Sequence, residues 1–283
     1  MEQILSYILL GALQGATEFL PISSSGHLVA AQALLGVESE GMLLEVSLHF
    51  GTLIAILFVF RRDIVQLLRH FWRGTLICVR RGGIEALRED APLFLTALAI
   101  VLGTVPAAAA GLLLHDQIEG FFSGDLRLTG VLLMLTGLVL TAGYFIPQGD
   151  SENVGPLRGL CVGLAQALAL LPGISRSGIT IVMGYLVGLE RRIAARFSFL
   201  LVIPALIGAM GLELVRTSGE GGKGNLQLPP DAFALLCGMV TSAAVGGICL
   251  VLLLKVVQKR KLHWFAVYCL PLGAALVAIG FLR

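Results

Sequence analysis

Two short polar stretches hold the residues of this chain best suited to chemistry. The first is FLPISSSGHL, residues 19–28, and the second is LLPGISRSGIT, residues 170–180. Ser23, Ser24 and Ser25 supply hydroxyls, His27 a titratable ring, and Glu18 a carboxylate just upstream. Gln14 precedes Glu18 by four residues, so the two share a helix face. His27 follows Ser24 by three residues, within reach on one helical turn. A hydroxyl with a histidine and an acidic partner is the usual way to activate an oxygen nucleophile. In the second stretch Arg176 stands between Ser175 and Ser177, with Gly173 and Gly178 close by. A guanidinium binds phosphate oxygens through two parallel hydrogen bonds, and glycine lets backbone approach a ligand. If each cluster starts a helix, its free N–H groups also attract an anion. Two helix N-termini, one arginine and several hydroxyls make a phosphate cradle that suits a diphosphate better than a monophosphate. Glu18 is placed to hold a divalent cation bridging the phosphates, since hard oxygen ligands suit Mg²⁺ or Ca²⁺. A plainer reading makes one of the three serines a helix cap and Glu18 a structural partner of Arg176.

The elements that must position these residues are membrane spans. The chain has 283 residues, 57% hydrophobic and 13% charged, against about 25% charged in a soluble domain. It therefore reads as an integral membrane protein of all-α class. A span needs about 20 apolar residues. Six segments qualify: 43–60, 92–114, 128–147, 197–215, 231–254 and 264–282. Two further apolar regions, 3–36 and 157–190, are each interrupted by a serine cluster. After Ser24 only about a dozen residues remain before Gly36, too few at 1.5 Å each to cross about 30 Å of hydrocarbon. Each region is expected to be a re-entrant helix–loop–helix. Polar, non-helical backbone at that depth needs protein or a watery cavity around it.

Residues 61–90 are expected to be a basic loop carrying Arg61, Arg62, Arg69, Arg73, Arg80, Arg81 and Arg88. With Arg158, Arg191, Arg192, Arg196, Lys255, Lys259, Arg260 and Lys261, fifteen basic residues fall on one side of the membrane. Four fall on the other: Arg127, Arg216, Lys223 and Arg283. The basic side is cytoplasmic, so both termini and the entrance to the first cluster face outward. Arginine in such loops sets topology or meets lipid headgroups; no nucleic-acid reading module accompanies it. The five cysteines stand singly and read as apolar filler. The opening Met-Glu-Gln has neither a basic n-region nor a cleavage site, so no cleaved signal peptide is expected. Within the spans, Glu45 and His49 sit one turn apart and are expected to face one cavity. Gln166 mirrors Gln14 and is expected to line the cavity likewise. His70, His115 and His263 fall in expected loops.

Sliding the chain by 152 residues lays Gly11 on Gly163, Gln14 on Gln166, Ile22 on Ile174 and Ser23 on Ser175. Ser25 then falls on Ser177, Gly26 on Gly178, Gly36 on Gly188 and Glu38 on Glu190, while Ser24 meets Arg176. Each copy continues with three spans, an odd number, so the second copy is inverted. Repeats of this kind place a site near the midplane, where broken helices meet. The expected organisation is one membrane domain of two inverted repeats, 1–147 and 157–283.

QGATEFLPISSSGH and LPGISRSG resemble the two signature motifs of the undecaprenyl-diphosphate phosphatase family, also known for bacitracin resistance. Gln14, Glu18, Pro21, Ser23, Ser24, Ser25, Gly26 and His27 match the first motif; Pro172, Gly173, Ser175, Arg176, Ser177 and Gly178 match the second. The resemblance covers essentially the whole chain. It implies removal of one phosphate from a long isoprenyl diphosphate lipid, recycling the carrier for peptidoglycan synthesis. It also implies a divalent cation and a site open to the outer face of the bacterial plasma membrane. The implied roles are Ser24 as nucleophile, Glu18 as base or metal ligand, Arg176 as phosphate clamp and His27 as proton-transfer group. Ser23, Ser25, Ser175, Ser177 and Gly178 complete the phosphate contacts, and Gln14 is a weaker metal ligand. His27 itself or a metal-bound water remains an alternative nucleophile.

A second class of lipid phosphatase carries PSGH, which SSGH superficially fits, and an SR that needs a histidine six residues after the arginine and an aspartate four further on. Val182 and Leu186 stand there. The remaining rival is a carrier of lipid phosphate or another anion, since inverted repeats with broken helices also build transporters. Small-residue faces around Gly103 and Gly246 fit a homodimer as well as internal packing.

Overall fold

A computed structural model describes residues 2–35, 43–81, 87, 91–114, 117, 126–219 and 232–282. Gly36 and Glu38, two of the repeat positions, and His115 lie outside them. Among the described residues the regular structure is helical, apart from one isolated β-bridge between Ser151 and Leu189. The helices are α1 (Glu2–Phe19), α2 (Ser24–Leu35), α3 (Leu43–Val59), α4 (Arg61–Arg81), α5 (Ala91–Leu113) and α6 (Leu126–Phe145). They continue as α7 (Pro156–Leu168), α8 (Arg176–Leu186), α9 (Arg191–Gly219), α10 (Ala232–Gln258) and α11 (Ala266–Leu282).

Five of these are long and apolar enough to cross a membrane: α5, α6, the Arg191–Leu212 part of α9, α10, and α11 with the turn before it. The expected span over 43–60 qualifies only when α3 and α4 are taken together, and the pair bends by 77° at Phe60. The chain is thus a multi-pass membrane protein, with five or six candidate spans among the described residues. The expected loop over 61–90 is corrected, because residues 61–81 form helix α4, and His70 lies within it. Six arginines lower the segment's hydropathy but leave its helical period intact. Ile64, Leu67, Phe71 and Cys78 recur at helical spacing, and Phe71 stacks on Phe94 of α5 at 5.9 Å. His263 lies in a short 3₁₀ turn, Leu262–Phe265.

Both serine clusters interrupt helices. α1 stops before Pro21, which cannot donate to the ladder and disfavours helical backbone at Leu20. The chain then turns through Ser23, whose φ of 66° is rare for a residue with a Cβ. The second break turns instead at Gly173, with φ of 99°. At 13 and 11 residues, α7 and α8 are about 20 Å and about 17 Å long, short of a full crossing.

The broken helices are housed crosswise. α1 packs along α10 and α3, α7 along α5, and α6 along α11. Small residues set the separation. A Cβ on Gly15 would lie 2.5 Å from the Ser242 carbonyl oxygen and 2.8 Å from the Gly246 nitrogen. A Cβ on Gly103 would lie 2.6 Å from the Gly159 carbonyl oxygen. Gly15→Ala should therefore destabilise the fold by about 3 kcal/mol through overpacking against backbone. Gly247→Ala, with open space at its Cβ position, should be neutral or stabilising by up to about 1 kcal/mol. Thermal unfolding in one detergent compares the two directly. α9 threads the centre, where Phe199 meets Phe19 edge-on at 5.8 Å and Phe60 at 6.3 Å.

Candidate functional site

The last turn of α1 and the first residues of α2 and α8 converge on one cavity of about 230 Å³. Glu18, Ser23, Ser24, Ser25, Ser175 and Arg176 line it, together with Thr17 and His49. The expected pair of clusters is therefore brought to one place. Its centre is the Glu18 carboxylate, whose side chain is only 3% exposed. Arg176 reaches it from the start of α8 and pairs with Oε1. The Ser24 hydroxyl donates to Oε2 at 2.8 Å, and Gln14 Nε2 donates to the same oxygen at 3.0 Å. An isolated carboxylate buried this far would cost several kcal/mol; the guanidinium and two neutral donors offset that cost.

His49 faces the same carboxylate from α3. Its Nδ1 lies 2.9 Å from the Glu45 carbonyl, so that nitrogen carries a proton and Nε2 is turned to Glu18 Oε2 at 3.8 Å. The Glu45 side chain does not line the cavity with it; Glu45 contributes its backbone carbonyl. Gln166 is buried with both amide atoms unpartnered and also lies away from the cavity lining.

His27 is held differently. Its Nδ1 lies 2.7 Å from the Ser23 carbonyl and its Nε2 2.5 Å from the Tyr268 hydroxyl, and the two rings stack at 5.6 Å. A ring nitrogen against a carbonyl must donate, so Nδ1 carries a proton, and the Tyr268 hydroxyl shares a hydrogen bond with Nε2. His27 does not line the cavity and makes no bond to Ser24. It pins the carbonyl of the left-handed Ser23 instead.

The second cluster is shaped by α6. Thr136 Oγ1 donates to the Gly173 carbonyl at 3.0 Å and accepts from the Ser175 N–H at 3.0 Å. Gly173 sits so close to α6 that a Cβ would meet Leu132 at 3.0 Å. Ser175 caps α8 by accepting from the Gly178 N–H at 3.2 Å. Ser177 is buried against Ser175, with hydroxyl oxygens 3.3 Å apart; the Ser23 and Ser25 hydroxyls lie 3.5 Å apart in the other break. Ser177 and Gly178 thus brace the turn rather than line the cavity. The Gly178 Cβ position lies 3.2 Å from Pro21 Cβ, so the two breaks touch.

Thr17, Thr136 and Tyr268 are additions that sequence reasoning did not supply. Thr17 adjoins Glu18 and so had a local signal. Thr136 and Tyr268 had none, being 37 and 241 residues from the groups they hold.

A family model described as bacitracin resistance protein BacA matches residues 7–275. The chain is 43% identical over 283 residues to a Geobacter sulfurreducens protein named undecaprenyl-diphosphatase, covering 99% of each. It is 42% identical over 279 residues to a protein of that name from Desulfosudis oleivorans, covering 96% of this chain and 97% of the relative. A third, from Methanosphaera stadtmanae, is 39% identical over 285 residues and covers 99% of each.

Proposed function

Because the chain belongs to the bacitracin resistance protein BacA family, we propose that it hydrolyses undecaprenyl diphosphate to undecaprenyl phosphate and inorganic phosphate. The reaction recycles a lipid carrier for peptidoglycan and other envelope polymers, and so confers bacitracin resistance. The observation that carries the reading is Ser24, Glu18 and Arg176 in contact at the wall of one cavity.

Ser24 is the nucleophile. Its proton goes to Glu18 Oε2, the oxygen its hydroxyl already donates to. Ser24 Oγ bonds to the terminal phosphorus, and the bond from that phosphorus to the bridging oxygen breaks. Undecaprenyl phosphate leaves, and water then hydrolyses the phosphoserine, returning the serine proton and releasing phosphate. Arg176 exchanges its Glu18 contact for phosphate oxygens as substrate enters, which frees Glu18 to act as base. The Ser23, Ser25 and Ser175 hydroxyls and the first N–H groups of α2 and α8 supply further donors. Ser177 and Gly178 support this set from behind. His27 has both ring nitrogens occupied, which favours Ser24 over His27 as the attacking group.

The donor set fits a divalent cation. Glu18 and Gln14 lie on one helix face, and Gln14 Oε1 is buried without a hydrogen-bond partner. Two hard oxygens, completed by substrate phosphates and water, suit Mg²⁺ or Ca²⁺. When bound, the cation neutralises the diphosphate and polarises its phosphorus–oxygen bonds. Metal removal is expected to stop phosphate release, and adding Mg²⁺ or Ca²⁺ back should restore it.

The site serves the outer face of the bacterial plasma membrane, as the bias in basic residues suggests. The chain is organised as two inverted repeats, 1–147 and 157–283, each opening with a re-entrant hairpin. Support comes from the crosswise housing of α1 and α7 and from the matched serine pairs in the two breaks. A homodimer is compatible with the small-residue faces, although Gly103 and Gly246 pack within this chain.

Tyr268→Phe is expected to lower kcat about tenfold with KM little changed, as one lost hydrogen bond of about 1.4 kcal/mol would do. A matching loss in His27→Ala, not deepened in the double variant, would show that the two act as one unit.

The deciding experiment is phosphate release from undecaprenyl diphosphate by purified protein, with Mg²⁺, with Ca²⁺ and with a chelator. Cation-dependent release supports the reading. A folded protein that releases none under either cation overturns it. The paired helix breaks would then favour a lipid-phosphate carrier, read as transfer between vesicle leaflets without phosphate release.

A further inference from the structure

The faces of α4 show a feature that the hydrolysis does not use. One face packs toward α5, with Leu67 and Gly74 buried and Ile64 and Phe71 half-buried. A second face is apolar yet uncovered: Val65, Leu68, Trp72, Leu76 and Val79 recur at steps of three and four. Leu68 is 64%, Trp72 70% and Val79 80% exposed. A third row runs beside it: Arg62, Arg69, Arg73 and Arg80 are all exposed and fall within about 40° of helix circumference. The sole acid of α4, Asp63, is paired with Arg196 of α9. The helix therefore carries six arginines against a single carboxylate.

We propose that α4 lies in the plane of the membrane interface and binds the phosphate headgroups of anionic phospholipids along this row. The 77° bend at Phe60 turns α4 sharply away from α3. If α3 runs into the bilayer, α4 lies close to its surface. An apolar stripe with arginines along one edge is the pattern of a helix that sinks its face into the acyl boundary and reaches headgroups with its stems. Each basic residue near an anionic surface contributes attraction there, and guanidinium is well matched to phosphate. The Asp63–Arg196 pair and the Phe71–Phe94 stack fix α4 on the body of the protein, so the row is presented in one register.

Trp72 lies in the middle of the uncovered stripe and reports on the surface directly. The test uses full-length Trp264→Phe protein, in which Trp72 is the one remaining tryptophan. It is reconstituted in phosphatidylcholine vesicles containing a minor share of brominated phosphatidylglycerol, or the same share of brominated phosphatidylcholine. The expected result is quenching of Trp72 by both lipids, with brominated phosphatidylglycerol enriched around it about fivefold, the factor one basic side chain at an anionic surface supplies. Replacing Arg62, Arg69, Arg73 and Arg80 by glutamine should remove the preference and keep the quenching. Equal quenching of the parent protein by the two lipids would overturn headgroup selectivity. Absence of quenching by either would overturn the interfacial placement. Both of those readings come from the parent protein, so they stand even if the arginine variant fails to fold.

Discussion

Arg176→Ala should abolish measurable turnover, lowering kcat by about a thousandfold. Removing one preorganised donor from a developing oxyanion costs about 10²–10³, and Arg176 brings a guanidinium able to make two such hydrogen bonds to the cavity wall. The substitution also strands the Glu18 carboxylate, buried and unpaired. Breaking one side of a buried pair costs about 3–5 kcal/mol, so the single variant should unfold at lower temperature. Glu18→Gln in the same chain removes the stranded charge and should recover most of that stability without recovering turnover. Measuring melting and phosphate release on both chains separates the clamp from the strut. If Arg176→Ala kept more than about a tenth of wild-type kcat, with the cation saturating, the phosphate-clamp role would be wrong.

Ser24→Ala is the second large effect. The hydroxyl is the one side-chain group that bonds Glu18 from the first residue of α2. A serine nucleophile leaves nothing to form the covalent intermediate when replaced, and triad precedents place such losses at about 10⁴ or more. Stability should fall by only about 1 kcal/mol, one hydrogen bond to a charged group already supported by Arg176 and Gln14. A metal-bound water would instead keep kcat within about tenfold in Ser24→Ala. Burst kinetics and trapping of a phosphoserine on wild type report the same distinction independently.

How far the sequence disclosed the site depends on what kind of information each residue needed. Glu18, Ser24 and Arg176 stood out because charges and clustered hydroxyls in so apolar a chain are costly to bury. Their convergence was legible from the 152-residue offset, which lays Ser24 on Arg176. His27 was harder. Spacing put it one turn from Ser24, yet side-chain direction in a helix follows the backbone, and the ring found Tyr268 instead. His49 was legible as a polar residue on a span, but its turn toward Glu18 depends on how α3 packs. α4 was misread as loop because the charge density of its arginines hid a helical period of ordinary apolar residues. Thr136 carries no sign in the sequence of its grip on Gly173 and Ser175; only the docking of α6 creates it.

The crosswise housing of the broken helices has a consequence for how the molecule is made. α1 leaves the ribosome well before α10, yet its glycine face is shaped to fit the backbone of that later helix. Until α10 arrives, Gly11 and Gly15 face lipid or a stand-in helix, and Glu18 waits for an arginine 158 residues downstream. The ring that pins Ser23 waits longer still, for Tyr268 on α11. Biogenesis therefore carries the acid of α1 through the 158 residues that separate it from Arg176 without that counter-charge. A ribosome stalled before α10 leaves a membrane-inserted chain that already holds every proposed reacting group but lacks the helix that holds them in place.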